Sequence, residues 1–149
     1  MNNSKIMPTT CLLMAILVMI ISHFMVPLAW IIPPMWSLAG LVLIATGVMI
    51  NLMADKAFHQ AHTTVKPFEE SSSLVTNGVF RISRNPMYLG FVMILIGIAV
   101  LLRTLSPYLV ALVFAILMDM RYIRTEEYML KEKFGLSWEQ YRSGTRRWL

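Results

Sequence analysis

Long apolar runs, broken by prolines and by clusters of charge, set the pattern of this chain. No Asp, Glu, Lys or Arg occurs in residues 6–54, 85–102 or 104–118. A helix that crosses a bilayer needs about 20 mostly apolar residues, so the first run has room for two. The pattern therefore predicts membrane-spanning helices at roughly residues 10–32, 35–54, 86–102 and 107–119.

Prolines mark the ends of these predicted spans. Pro33-Pro34 ends the first, and Ser106-Pro107 separates the last two, which are short enough to form a tilted hairpin. Beyond residue 120 charged and apolar residues are mixed, which predicts an amphipathic helical segment at the membrane surface. We therefore expect an all-α integral membrane protein with about four transmembrane helices, folded as a single domain over residues 1–149.

Composition and charge agree with this class. Hydrophobic residues make up 57% of the chain, and only 14% are charged, against about 25% in an average soluble domain. Lys and Arg concentrate in residues 55–84 and after residue 120, whereas the turn at Pro33-Pro34 has none. Because positive loops stay in the cytoplasm, both termini and the middle loop are predicted there. The net charge of +5 then indicates contact with the cytoplasmic leaflet, and no nucleic-acid partner is expected.

Metal and disulfide chemistry are not expected from this sequence. Cys11 is the single cysteine, so neither an internal disulfide nor a cysteine metal cluster can form. His59 and His62 follow the second predicted span at a spacing of three residues, and we interpret them as polar residues of the membrane interface. No metal site is therefore predicted.

The stretch RISRNPMYLG, residues 81–90, opens the third predicted span. Asn85 precedes a proline and so leaves the helical region, while Pro86 suits the first helical position; Asn85 is then a candidate N-cap. Two interpretations follow. Arg81 and Arg84 either only contact lipid phosphates, with Tyr88 in an aromatic belt, or they help the helix start to bind an anionic ligand group.

A second polar stretch, RYIRTEEYMLKEKFG at residues 121–135, follows the last apolar run. It fits an amphipathic helix with a solvated charged face. The pair Glu126-Glu127, however, lies directly beyond a membrane helix, where acidic groups are unfavourable near an anionic leaflet unless a cation binds there. The pair is therefore a candidate for binding a cationic group.

Together these stretches resemble a known superfamily. LVTNGVFRISRNPMYLG (residues 74–90) is similar to the motif of the isoprenylcysteine carboxyl methyltransferase and phospholipid methyltransferase superfamily, and TTVKP (residues 63–67) resembles the segment before it in bacterial members. The ending EEYMLKEKFGLSWEQYRSGTRRWL (residues 126–149) resembles the family's Glu-Glu pair, Phe-Gly and basic tail. The resemblance covers roughly residues 63–149.

This resemblance implies a methyltransferase embedded in the membrane, dependent on S-adenosylmethionine and unlike the soluble Rossmann type. It places the cofactor between residues 74–90 and 121–149, at the cytoplasmic ends of the last helices. It implies catalytic roles for Glu127 and Arg124. The residues that it implies for cofactor binding are Gly78, Arg84, Asn85, Pro86, Tyr88, Leu89, Glu126 and Glu127.

Asn85 departs from the family pattern, since many members have His at this position. An amide cannot accept a proton at neutral pH, so a general-base role is not carried over to Asn85.

The acceptor implied by the resemblance is a lipid or small lipophilic molecule with a carboxylate, amine or thiol, and the implied location is a bacterial inner membrane. Two alternatives stay open. The chain is either a small non-catalytic scaffold or transporter-like protein with interfacial Arg and Glu anchors, or a methyltransferase fold that binds the cofactor without turnover. Transporters usually show internal repeats or midplane polar residues, which this sequence lacks. The sequence predicts no oligomeric state.

Overall fold

A computed structural model describes residues 7–61 and 72–149. The segment at residues 63–67 and His62 lie outside this described part. The described α-helices are α1 (Pro8–Met25), α2 (Pro34–Ser37), α3 (Ala39–Gln60), α4 (Pro86–Leu102), α5 (Ser106–Met118), α6 (Arg124–Phe134) and α7 (Leu136–Gly144). A 3-10 turn, Gly78–Arg81, precedes α4, and a π turn, Asp119–Ile123, joins α5 to α6.

Within residues 7–61 and 72–149, three stretches of helix are long and apolar enough to cross a membrane: α1, α2 with α3 (Pro34–Gln60), and α5 continuing into α6 (Ser106–Phe134). The apolar helix α4 has 17 residues and is slightly shorter. Leu13, Val42 and Leu112 are more than half exposed on these helices, as suits side chains that face lipid. The predicted all-α integral membrane fold is confirmed.

The first helix is shorter than predicted. α1 ends at Met25 and not near residue 32. Pro27 has no N–H to donate, and its ring would clash with the carbonyl of the preceding helical turn, so the helix stops just before it. The chain then runs back along the turn between α4 and α5, where the Ile31 N–H donates to the Arg103 carbonyl at 2.9 Å.

The last membrane helix is longer than predicted and continues into the charged part of the chain. The sequence predicts a membrane helix to residue 119 and a separate surface segment beyond it, whereas the helix continues through the π turn as far as Phe134. A π turn contains more residues than an α turn and therefore changes which side chains face the bundle. Here Tyr122 and Ile123 turn inward and are buried.

Glycines allow α3 and α4 to pack backbone against backbone. A Cβ atom built on Gly90 would lie 2.7 Å from the Gly47 carbonyl oxygen, and one on Gly97 would lie 2.6 Å from that of Gly40. Both distances are shorter than real Cβ contacts. Small residues at a crossing are the usual means by which membrane helices approach closely.

Two apolar clusters of described residues hold the bundle together, one along the length of α4 and one just before its start. The larger lies between α1, α4 and α5, with Met19, Leu95 and Met118 at its fully buried centre. The smaller joins the end of α3 to the 3-10 turn, where the rings of Phe58 and Phe80 meet edge to face at 5.1 Å. The smaller cluster fixes the chain just before Arg84.

Candidate functional site

The start of α4 meets the charged end of the α5–α6 helix and the C-terminal residues in one cluster, which we call the polar site. Arg84 and Glu127 form an ion pair there, and the Tyr88 hydroxyl contacts Glu126. The structure thus brings together residues from the two sequence stretches that were singled out. The polar site comprises Arg84, Asn85, Tyr88, Asp119, Glu126, Glu127 and Arg147.

Asn85 begins α4 but does not cap it with its side chain. Pro86 is at the first helical position, as predicted, yet no side-chain hydrogen bond from Asn85 reaches the helix. The predicted N-cap position of Asn85 is confirmed, but the side-chain hydrogen bond that such a cap usually makes does not form. The amide Nδ2 instead donates to the Arg147 carbonyl at 3.2 Å, and the Ser83 hydroxyl donates to the same oxygen at 3.1 Å. The Arg147 carbonyl lies next to the Asn85 amide, which donates to it and not to the first turn of the helix.

Glu127 is shared between two arginines. Arg84 Nη2 lies 3.2 Å from Oε1, while Arg147 donates to Oε2 from Nη2 at 2.7 Å and to Oε1 from Nε at 3.3 Å. The side chains of Arg84 and Glu127 are only 8% and 11% exposed. Both oxygens of this carboxylate are therefore engaged with protein groups inside a nearly closed site.

Arg84 keeps one donor without a partner. Its Nη1 makes only a long contact, 3.5 Å, with the Arg142 carbonyl, and its guanidinium lies 5.7 Å from the Trp138 ring centroid. Its Nε is buried and has no hydrogen-bond partner among the residues that the structure describes. Burial lowers the pKa of Arg84 and the charge of Glu127 opposes this, but a guanidinium stays protonated in proteins. A buried cationic donor without an acceptor is costly, and a ligand oxygen would satisfy it.

Glu126 faces the bundle interior and has a different environment. The Tyr88 hydroxyl donates to its Oε1 at 2.6 Å. The Tyr88 ring in turn lies 6.3 Å from the Tyr122 ring. Among the described residues Glu126 is thus a carboxyl that is not paired with a cation.

Arg124 and Gly78 lie apart from these contacts. The Arg124 side chain is 61% exposed, and its Nε donates to Asp119 Oδ2 at 3.0 Å. Gly78 opens the 3-10 turn with φ of +58°, a conformation that suits glycine. Leu89 is half-buried, and its N–H closes the first turn of α4 on the Asn85 carbonyl. The roles predicted for these three residues stay predictions.

Two members of the polar site were missed from the sequence. Asp119 accepts from Arg147 Nη1 at 3.2 Å and from Arg124. Its signal in the sequence was its position as the first charge after the apolar run of residues 104–118. Arg147 lies among several basic residues of the tail, and nothing in the sequence distinguishes it from Arg146. Within residues 7–61 and 72–149, no group of three or more His, Cys, Asp or Glu is arranged to hold a metal ion.

Comparison with known proteins agrees with the resemblance seen in the sequence. The family described as "Phospholipid methyltransferase" matches residues 35–137. A "Probable protein-S-isoprenylcysteine O-methyltransferase" of Oryza sativa subsp. indica is 33% identical over 108 residues, which are 70% of this chain and 56% of the relative. "Protein-S-isoprenylcysteine O-methyltransferase A" of Arabidopsis thaliana is 34% identical over 107 residues, which are 68% and 53%.

The chain spans about half the length of these relatives. The family match, by contrast, takes in α3, α4, α5 and α6, and with them most of the polar site. The resemblance inferred from the two stretches is confirmed, and the chain belongs to the phospholipid methyltransferase family.

Proposed function

We propose that the protein is an S-adenosylmethionine-dependent methyltransferase that acts on a lipophilic acceptor at the cytoplasmic face of the membrane. One observation carries the proposal. The polar site holds a buried arginine side chain, Arg84, whose Nε has no hydrogen-bond partner among the described residues. It also holds a half-buried carboxyl, Glu126, which bonds the Tyr88 hydroxyl and no cation among the same residues. Family membership and the names of the relatives support the same activity.

The residues present fit the amino-acid end of S-adenosylmethionine. Its carboxylate would satisfy the Nε of Arg84, since guanidinium groups bind carboxylates well. Its ammonium group would find an acceptor in Glu126, whose Oε1 already accepts one hydrogen bond from Tyr88. When bound, S-adenosylmethionine supplies a methyl group activated by a sulfonium cation.

The protein contributes mainly by placing and enclosing the reactants. Arg84 and Glu126 fix the ligand, and Tyr88 holds the Glu126 carboxyl in position from below. Positioning of this kind lowers the barrier to a displacement between two bound partners. The Glu126 carboxylate is also a group that can accept a proton from an acceptor amine or thiol.

A lipophilic acceptor follows from where the polar site lies. It caps a bundle whose outer helices expose apolar side chains, such as Leu41 and Val113, to the bilayer. A membrane-dissolved acceptor can therefore reach the site laterally. The relatives are named for an isoprenylcysteine acceptor, and the family for phospholipids, so both chemical classes are candidates.

Transfer of a labelled methyl group tests the proposal. Purified protein in vesicles is incubated with methyl-labelled S-adenosylmethionine and either a farnesylated cysteine or phosphatidylethanolamine. Label that enters an organic-extractable product only when the protein is present would support the proposal. Binding of S-adenosylmethionine without any such transfer to either acceptor or to the vesicle lipids would instead indicate a methyltransferase fold without turnover.

Arg84 and Arg81 form a matched pair for testing the ligand site. Both precede α4, but Arg81 is exposed, whereas Arg84 is buried against Glu127. Arg84→Ala is expected to weaken S-adenosylmethionine binding on the order of tenfold or more, because a charged hydrogen bond to the ligand is lost. Arg81→Ala is expected to change it little. Equal, small effects in calorimetry would mean that both arginines only contact lipid.

We also propose that both chain ends and the polar site face the cytoplasm, as the distribution of Lys and Arg indicates. A reporter fused after Leu149 or inserted near Ser72 should report the cytoplasm, and one inserted at Pro33-Pro34 the opposite side. An external C-terminus would separate the polar site from cytosolic S-adenosylmethionine and contradict the proposal. The bacterial inner membrane is the location that we propose.

A further inference from the structure

The last five residues, 145–149, form an arm that is fastened to the start of α4. The Arg84 N–H donates to the Arg146 carbonyl at 2.9 Å, and the Arg147 carbonyl accepts from the Asn85 amide. Trp148 packs against the larger apolar cluster. These contacts fix the backbone of the arm, and therefore also the position of the Arg147 Cα atom.

The Arg147 guanidinium joins two acidic groups from different parts of the last long helix. It binds both oxygens of Glu127, at 2.7 and 3.3 Å, and Asp119 Oδ1 at 3.2 Å. Asp119 belongs to the π turn and Glu127 to α6. Arg147 is 33% exposed, so these bonds lie at the rim of the site.

The hydrogen bonds from Arg147 to Glu127 determine which donors of Arg84 are occupied. Arg84 reaches Glu127 Oε1 with Nη2 alone, and its Nε has no partner in the described part of the chain. A free carboxylate beside an arginine prefers the paired geometry in which both of its oxygens accept hydrogen bonds from the guanidinium. Because Glu127 Oε2 is bound by Arg147 at 2.7 Å, that paired geometry with Arg84 does not form.

We propose that Arg147 is a positioning residue: by holding Glu127 it keeps the Nε of Arg84 open for the carboxylate of the ligand. This inference rests on the proposed function, because the ligand is S-adenosylmethionine. Without Arg147, Glu127 turns towards Arg84, occupies its free donor and competes with the ligand carboxylate. Arg147 then affects the binding of the ligand carboxylate and not of the rest of the ligand.

Two ligands that differ only in this carboxylate therefore test the inference. Decarboxylated S-adenosylmethionine keeps the sulfonium, the amino group and the nucleoside but lacks the carboxylate. Affinities of both ligands are measured by calorimetry for the wild type, for Arg147→Gln and for Arg146→Gln. Arg146 is exposed and makes no side-chain bond within the described residues, which makes it a matched control.

Arg147→Gln is expected to lose on the order of tenfold in affinity for S-adenosylmethionine and to keep its affinity for the decarboxylated ligand. Arg146→Gln should match the wild type for both. Arg147→Lys, which keeps the charge but not the two-pronged geometry, should lie between wild type and Arg147→Gln for S-adenosylmethionine alone.

An equal loss for both ligands would show that Arg147 supports the fold only, and unchanged affinities would show that it does not act on Arg84; either result overturns the inference. If Arg147→Gln does not fold, the same two-ligand comparison with Arg147→Lys decides. A wild type that binds neither ligand would refute the proposed function itself, and this inference with it.

Discussion

Glu127→Ala is expected to destabilise the protein by about 3–5 kcal/mol and to weaken S-adenosylmethionine binding. The substitution removes the carboxylate that both Arg84 and Arg147 bind. Two guanidinium groups then remain close together, one of them almost completely buried. Arg84 loses its orientation at the same time, so its bond to the ligand carboxylate is weakened.

Chemical denaturation in detergent, followed by circular dichroism, measures the loss of stability. Glu132→Ala is the matched control, because Glu132 lies on the same helix, is exposed and bonds only the Tyr128 hydroxyl among the described contacts. Little change is expected there. Equal stability losses in the two variants would contradict the buried role of Glu127.

Gly90→Ala is expected to destabilise the bundle by about 1–3 kcal/mol or more through overpacking. The new Cβ would meet the Asn51 side chain and lie 2.7 Å from the carbonyl oxygen of Gly47. Carbonyl oxygens of a helix cannot move aside alone, so α3 and α4 must separate and lose contacts along their length.

Gly144→Ala provides the control for Gly90→Ala. A Cβ on Gly144 has nothing within 4 Å, and alanine favours a helix more than glycine does. Thermal denaturation should therefore show a clear loss for Gly90→Ala and none for Gly144→Ala. An unchanged melting temperature for Gly90→Ala would contradict the close backbone contact.

The membrane helices could be predicted because their cause is local. Uncharged runs that end at prolines or charges define where the chain can enter a bilayer, and α4 was predicted with the bounds observed, residues 86–102. The end of α1 was predicted several residues beyond Met25, because the apolar run continues past Pro27. Hydrophobicity alone does not show that Pro27 lacks the N–H that a helix needs. The π turn was missed because a single wide turn leaves no periodic signal.

The polar site was only partly predictable for a related reason. Motif residues such as Arg84, Tyr88 and Glu126 were singled out, and the structure places them together. Which of two adjacent glutamates faces the interior depends on the rotation of α6 that follows the π turn. Arg147 is selected among the tail's basic residues only by the path of the arm across Ser83 and Asn85. These are tertiary contacts that no local pattern contains.

Titration of the purified, detergent-solubilised wild type with S-adenosylmethionine in a calorimeter is the most direct test of the central claim. A saturable heat for one ligand per chain is expected, together with a higher melting temperature at saturation, because the ligand binds the folded state. Neither heat nor a thermal shift at saturating ligand would contradict the proposal that this polar site binds the methyl donor.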